Sequence, residues 1–133
     1  MPRGSSERLA FRLDHVRISV PYALAANAPD PHLRGVVAKD RGMVLAEAGD
    51  NAAAIRAFEA ALRGFRAAGD TREEGFTLAA IGARYVDQGA LPEAKRHATS
   101  AVTMLEAVGD QRTRAWALLI LSLVGLEEAQ LDV

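Results

Sequence analysis

Small and apolar residues follow helical spacing along most of this chain, and the same arrangement returns 40 residues later. From Gly75 to Asp87 such residues recur at the intervals that one face of a helix requires: Leu78, Ile81, Gly82, Tyr85 and Val86. A second stretch, ending near Val108, carries another such face: Ala94, Ala98, Ala101, Val102 and Leu105. The pattern therefore predicts two consecutive helices.

Residues typical of helix ends lie before and between these two stretches. Asp70 can cap the first helix, with Glu73 three residues later, where a carboxylate suits the positive end of the helix dipole. Gly89 fits a helix C-terminus, which often requires a positive φ. Pro92 suits the first turn of the next helix. These signals predict a helix, a tight corner and a second helix.

The chain before and after this pair follows the same rules. A helix is predicted from about Leu33 to Ala48, followed by one capped by Asp50 or Asn51 that buries Ala54, Ile55, Phe58, Ala61, Leu62 and Phe65. After Asp110, a further helix carries Ala115, Leu118, Leu121 and Ser122 at positions equivalent to Gly75, Leu78, Ile81 and Gly82. We call the first helix of each pair helix A and the second helix B.

The repetition extends to residue identity. Nine residues of 31–70 are identical to their counterparts in 71–110, with no gap. A fixed period in this range indicates stacked structural repeats. The sequence predicts one repeat over 31–70, a second over 71–110 and a terminal apolar half repeat over 111–133.

Residues 1–30 fit this scheme less well. We expect a helix that is kinked or interrupted near Pro21 and packs on the first repeat, because proline breaks helix interiors. For residues 8–22 a strand is the alternative, since apolar residues alternate there: Phe11, Leu13, Val16, Ile18 and Val20.

The conserved spacing of large and small residues resembles the tetratricopeptide repeat signature: Leu78, Ile81, Gly82, Tyr85, Ala94, Ala98 and Ala101. The preceding repeat has Ala38, Arg41, Gly42, Leu45, Ala54, Phe58 and Ala61 there. The period is similar to that of the long-helix variety in bacterial transcriptional activators and kinesin light chains. The resemblance implies an all-α fold, a short right-handed solenoid of antiparallel helix pairs. Arg41 and Gly125 depart from the signature, where leucine and tyrosine are usual.

Composition excludes several classes of function. The net charge of -1 gives no electrostatic footprint for nucleic acid or a membrane surface. The chain has no cysteine, which excludes disulfides, thiolate metal sites and cysteine nucleophiles. No apolar stretch is long enough to cross a bilayer. We therefore predict a cytoplasmic location, and the resemblance to the variety in bacterial activators implies a bacterial protein.

No arrangement of residues indicates catalysis, a metal or a cofactor. The histidines His15, His32 and His97 form no HExxH motif or helical ligand pair. Adjacent carboxylates such as Glu73 and Glu74 point apart on a helix. A small enzyme with a pocket at a dimer interface stays an alternative, which a bound cofactor or the convergence of Arg84, Asp87 and His97 in a cleft would support.

The resemblance implies a concave groove lined by helix A residues. These map to Val36, Lys39, Asp40, Met43, Ala46 and Glu47; to Phe76, Ala79, Ala80, Ala83, Val86 and Asp87; and to Trp116, Leu119, Ile120, Leu123, Leu126 and Glu127. The groove becomes more apolar toward the C-terminus, which favours an apolar helix or segment as ligand. The predicted partner-binding residues are Val36, Met43, Phe76, Val86, Trp116, Leu119 and Leu123.

The terminal helix is apolar on almost every side. An exposed apolar surface of that size implies a partner. We expect a non-catalytic scaffold that binds a protein or itself, with a homodimer through this helix as one outcome and coverage by the N-terminal segment as another. The alternative within the family is a regulatory or sensor module of a bacterial transcriptional regulator.

Overall fold

The computed structural model describes residues 29–131, which form five helices. They are α1 (Pro31–Glu47), α2 (Asn51–Ala68), α3 (Thr71–Asp87), α4 (Leu91–Val108) and α5 (Gln111–Leu131). Helices α1, α3 and α5 are helices A and start 40 residues apart, as do α2 and α4, which are helices B. The kinked helix, and the strand alternative at 8–22, lie outside the described residues.

Glycine with positive φ closes each of the four corners between these helices. Gly49, Gly69, Gly89 and Gly109 have φ between 70° and 82°, a conformation that residues with a Cβ adopt only at a cost. The prediction for Gly89 is confirmed. Since these glycines are 20 residues apart, each helix has nearly the same length before the chain turns back.

Aspartate caps most of the helices that follow these corners. The carboxylates of Asp30, Asp50 and Asp70 accept hydrogen bonds from the backbone N–H groups at the starts of α1, α2 and α3. Asp110 accepts from the Thr113 N–H at 3.1 Å in the same way at the start of α5. Helix α4 is different, because Ala90 stands at its N-cap and supplies no side-chain hydrogen bond.

Helices A and B of the first repeat pack with glycine against aromatic rings. A Cβ added at Gly35 would lie 2.6 Å from Phe65, and one at Gly42 would lie 2.5 Å from Phe58. Both distances are shorter than any ordinary contact, so the rings occupy the space that a side chain would need. Glycine is therefore required for α1 and α2 to approach this closely.

The second repeat uses the same positions with smaller partners. Leu105 replaces Phe65 and closes on Gly75, where an added Cβ would lie 2.8 Å away. Ala98 replaces Phe58, and an added Cβ at Gly82 would meet the Ala94 carbonyl at 3.4 Å, an ordinary contact. The α3–α4 pair is thus less tightly fitted at Gly82 than the α1–α2 pair is at Gly42.

The core runs through the stack as one main cluster with smaller ones beside it. Buried residues from four helices form the main cluster, among them Phe58 of α2, Ile81 of α3, Leu105 of α4 and Ile120 of α5. Each helix packs on the next along the chain, and α3 also packs on α5. This is the all-α helical repeat architecture that the sequence predicted.

Candidate functional site

The side chains of three helices A meet in one row. The Lys39 ammonium of α1 lies 5.0 Å from the ring centroid of Phe76 on α3, and that ring lies 5.3 Å from Trp116 on α5. The two rings are tilted by 47°, a favourable aromatic geometry. We call this side of α1, α3 and α5 the A-helix face. Since Phe76 and Trp116 are 40 residues apart, the repeat itself creates the aromatic pair.

A salt bridge holds the cation of this row in place. The Lys39 ammonium donates to the Glu73 carboxylate at 2.7 Å, and both side chains are mostly buried. The bridge joins the first repeat to the second and positions the ammonium over the Phe76 ring. A cation over an aromatic face is attracted by the ring quadrupole. The A-helix face is therefore a fixed surface at this end.

The other end of the A-helix face is apolar and open to solvent. On α5, Leu119 is 57% exposed, Leu123 42% and Leu126 64%. By contrast, Ala117, Ile120 and Val124, on the opposite side of α5, are buried against the other helices. These three leucines belong to the part of the groove that the sequence predicted to be most apolar.

The predicted partner-binding residues fall into three groups. Met43, Leu119 and Leu123 are exposed, and Phe76 and Trp116 are half-buried in the aromatic pair. Val36 and Val86 are half-buried against core clusters, and Trp116 also packs against the main cluster.

The family mapping is wrong for three of the residues that it assigned to the groove. Ala79, Ala80 and Ile120 are at most 3% exposed. They belong to the main core cluster, because α3 and α5 pack on one another as well as on their neighbours along the chain. The mapping uses fixed positions in the repeat and takes no account of neighbouring helices.

Ionic contacts join the repeats away from the A-helix face. His32 Nδ1 lies 3.1 Å from the Asp70 carboxylate, and the Arg72 guanidinium lies 3.9 Å from Asp110, the equivalent pair one repeat later. The backbone and side-chain hydrogen bonds from Thr113, helped by Arg72 and Arg112, lower the pKa of the Asp110 carboxyl. Each contact places a side chain of one helix A beside the cap of the next.

Of the residues named for the enzymatic alternative, Arg84 and Asp87 contact one another, whereas the contacts of His97 are with other residues. Arg84 donates to Asn51 at 3.1 Å and pairs with Asp87 at 3.0 Å. His97 instead lies against the Tyr85 ring at 5.3 Å, with Nδ1 2.8 Å from the Glu93 carbonyl. Among residues 29–131, no group of three or more histidine, aspartate or glutamate side chains could hold a metal ion.

A basic cleft between α1 and α2 is a feature that sequence reasoning missed. It has a volume of about 280 Å³ and is lined by Arg41, Arg56 and Arg63 together with Leu45 and three alanines. The signal was available, since Arg41 stands where the family signature has leucine.

No membrane-spanning candidate occurs among the described helices, none of which is both long and apolar enough.

Comparison with known proteins agrees with the geometry. Neither a curated protein nor a solved structure matches the chain significantly. The family described as "Tetratricopeptide repeat" matches residues 35–107, more than half of the 133 residues. Repeats of this family generally mediate interactions between proteins. The matched segment spans most of α1 and α4 and all of α2 and α3. The chain belongs to the tetratricopeptide repeat family.

Proposed function

We propose that this chain is a non-catalytic interaction module that binds an apolar protein segment on the A-helix face. The observation that carries the proposal is the exposed stripe of Leu119, Leu123 and Leu126 beside the half-buried Trp116. Exposed apolar surface costs free energy in water, and its burial by a partner recovers about 25 cal/mol per Å². Contiguous apolar surface of this kind marks interaction sites.

The aromatic pair gives the surface its anchor. Aromatic residues at the centre of an interface commonly carry most of the binding energy. Phe76 and Trp116 are held by each other and, through Phe76, by the Lys39–Glu73 bridge, so little side-chain freedom is lost on binding. A partner segment that covers Leu119 and Leu123 would contact the Trp116 edge. Met43 extends the surface onto α1.

The test is quantitative affinity capture with matched variants. Leu119→Asp/Leu123→Asp places two carboxylates on the apolar stripe, while Thr99→Asp/Thr103→Asp places two at the same spacing on exposed positions of α4. Proteins retained by the wild type should be lost with the first variant and kept with the second. Equal retention by both variants would exclude the A-helix face as the binding surface.

Binding should also be visible at Trp116, because it is the only tryptophan in the chain. Once a retained protein is purified, its titration should shift the Trp116 emission to shorter wavelength as the indole loses contact with water. Phe76→Ala should weaken that binding, since it removes the ring against which Trp116 packs. The cytoplasmic location stays a prediction.

A further inference from the structure

We propose that the partner of α5 is a second copy of this chain, with the two α5 helices packed antiparallel. The proposal rests on the proposed function, because it names the occupant of the same apolar stripe. It assigns a geometry as well: Leu119 of one copy packs beside Leu123 of the partner subunit, and Trp116 lies near Leu126 of the partner subunit.

The spacing of the stripe is that of a helix–helix seam. Trp116, Leu119, Leu123 and Leu126 are separated by three, four and three residues, which is the a/d pattern of a coiled coil. The three leucines are all at least 42% exposed. Because α5 buries a different set against its own chain, the three leucines leave this second seam open to another helix, with the half-buried Trp116 at one end.

The charges on α5 identify that helix as a second copy. Residues 115–126 carry no charge, whereas Arg112 and Arg114 lie at the start of α5, and Glu127 and Glu128 lie near its end. This order is opposite to the one that stabilises a single helix, since the dipole favours acidic residues at the start and basic ones at the end. This order is unfavourable for the dipole of α5, and within the chain the favourable contact of these charges is that of Arg112 with the Asp110 carboxylate that caps the same helix.

In an antiparallel pair of α5 helices, the basic residues at the start of each helix form favourable contacts with the acidic residues at the end of the other. A two-fold axis between Leu119 and Leu123 places Arg112 within about one helical turn of Glu127 of the partner subunit, and the symmetry repeats the contact at the other end. A parallel pair would instead place like charges together. Charge complementarity thus selects both the occupant and its direction.

The repeat register gives independent support for an acidic group near Arg112. The equivalent residues in the earlier repeats are His32 and Arg72, and each contacts an aspartate of the next repeat, Asp70 and Asp110 respectively. Arg112 is exposed and already helps to lower the pKa of Asp110, the cap of its own helix. In the antiparallel pair, Glu127 of the partner subunit supplies a second acidic group, in the place that an aspartate of the next repeat takes for His32 and Arg72.

Charge reversal tests the pairing directly. Sedimentation equilibrium of the full chain should show a dimer, and Arg112→Glu or Glu127→Arg alone should each weaken it about tenfold, because both symmetric contacts become repulsive. The double variant R112E/E127R should recover most of the wild-type affinity. Arg96→Glu, on an exposed position of α4, is the control and should change nothing. A monomeric wild type, or a double variant no tighter than the singles, would overturn the proposal.

Cross-linking tests the direction of the helices in a chain that has no cysteine of its own. Residues 112 and 130 are about 27 Å apart along α5, so cysteines there cannot join within one chain. Under mild oxidation, R112C/Q130C should form covalent dimers and neither single variant should. A dimer cross-linked by R112C alone would show parallel helices and contradict the pairing.

The outcomes separate this inference from the proposed function. Association that is lost in L119D/L123D but unaffected by charge reversal would keep the A-helix face as a binding surface and overturn the antiparallel pair. A monomer that binds another protein through these leucines would also keep the A-helix face as a binding surface and overturn the antiparallel pair. If L119D/L123D changed no interaction at all, both proposals would be wrong.

Discussion

Gly42 and Gly82 occupy the same place in successive repeats, yet their surroundings differ. Phe58 lies against Gly42, whereas Ala98, the equivalent of Phe58, leaves ordinary contact distance at Gly82. The sequence shows glycine at this position of both helices A and assigns it to the repeat signature. It could not show how tight each contact is, because that depends on the position of a ring relative to the opposite backbone.

The same substitution should therefore destabilise the fold at Gly42 but not at Gly82. Gly42→Ala should lower the free energy of unfolding by about 1–3 kcal/mol, because the Phe58 ring must move. Gly82→Ala should be neutral or raise it by about 0.5–1 kcal/mol, since alanine favours the helix and finds room. Urea denaturation of both variants measures the difference. Equal destabilisation would mean that the two sites are packed alike.

Asp110 makes a prediction about pH. Hydrogen bonds from Thr113 lower the pKa of this carboxyl in the folded chain, so its charged form adds stability above the unfolded pKa of about 3.9. That contribution is lost as the pH falls through the lower folded pKa. Asp110→Asn keeps a good helix cap but removes the charge.

Urea midpoints of the wild type and Asp110→Asn should differ at pH 7, with the wild type more stable, and the difference should be smaller at pH 3, below the unfolded pKa. The Thr113→Ala variant should reduce the same pH dependence, because it removes one of the hydrogen bonds that favour the carboxylate. A gap between wild type and Asp110→Asn that is the same at both pH values would assign the effect to shape rather than charge.

Helix ends were the most predictable elements of this fold. The Asp-capped starts and glycine corners follow from local chemistry, and the caps at Asp50 and Asp70 and the corner at Gly89 appear where the sequence placed them. At the end of α5 the corner glycine is absent, and the helix does not stop at that position. Ala129 stands where Gly49 and Gly89 form corners, and α5 continues to Leu131.

The missing cap of α4 allows an element-scale prediction. Ala90 has φ and ψ of -86° and 74°, nearly the same as the -88° and 80° of Asp50, whose carboxylate caps α2. In Ala90→Asp the new carboxylate should accept a hydrogen bond from the backbone N–H groups at the start of α4, which have no side-chain cap. The free energy of unfolding should rise by about 0.5–2 kcal/mol. Asp50→Ala should lower it by a similar amount. Thermal denaturation of the two variants checks the pair, and no gain in Ala90→Asp would mean that other groups already satisfy this helix end.

At the scale of the whole molecule, repetition predicted the stack but not the division between core and surface. Ala79 and Ile120 occupy positions that line the groove in the family mapping, yet they are buried, because α3 and α5 pack on one another. Contacts such as Lys39 over Phe76 depend on the offset between repeats. Periodicity gives the order of helices along the chain, but that offset is set by side-chain packing.

The core is not shared equally by the repeats, and local stability should reflect this. Phe65 and Leu105 are equivalent and fully buried, but Phe65 belongs to a small cluster with Ala38 and Ala61, whereas Leu105 belongs to the main cluster that includes α2, α3, α4 and α5. In a stacked array each repeat is stabilised by its neighbours only. Damage at Phe65 should therefore stay near one end.

Hydrogen exchange of two matched variants tests this expectation. Phe65→Ala should speed exchange in α1 and the second half of α2 while leaving α4 and α5 protected, because its cluster contains residues of the first repeat alone. Leu105→Ala should speed exchange throughout α2–α5, since its cavity opens in the cluster that those helices share. Each truncation costs about 2–5 kcal/mol, so the pattern of exchange and not its overall size distinguishes them. If both variants exchange faster everywhere to the same extent, the chain unfolds as a single unit and the smaller cluster has no independent stability.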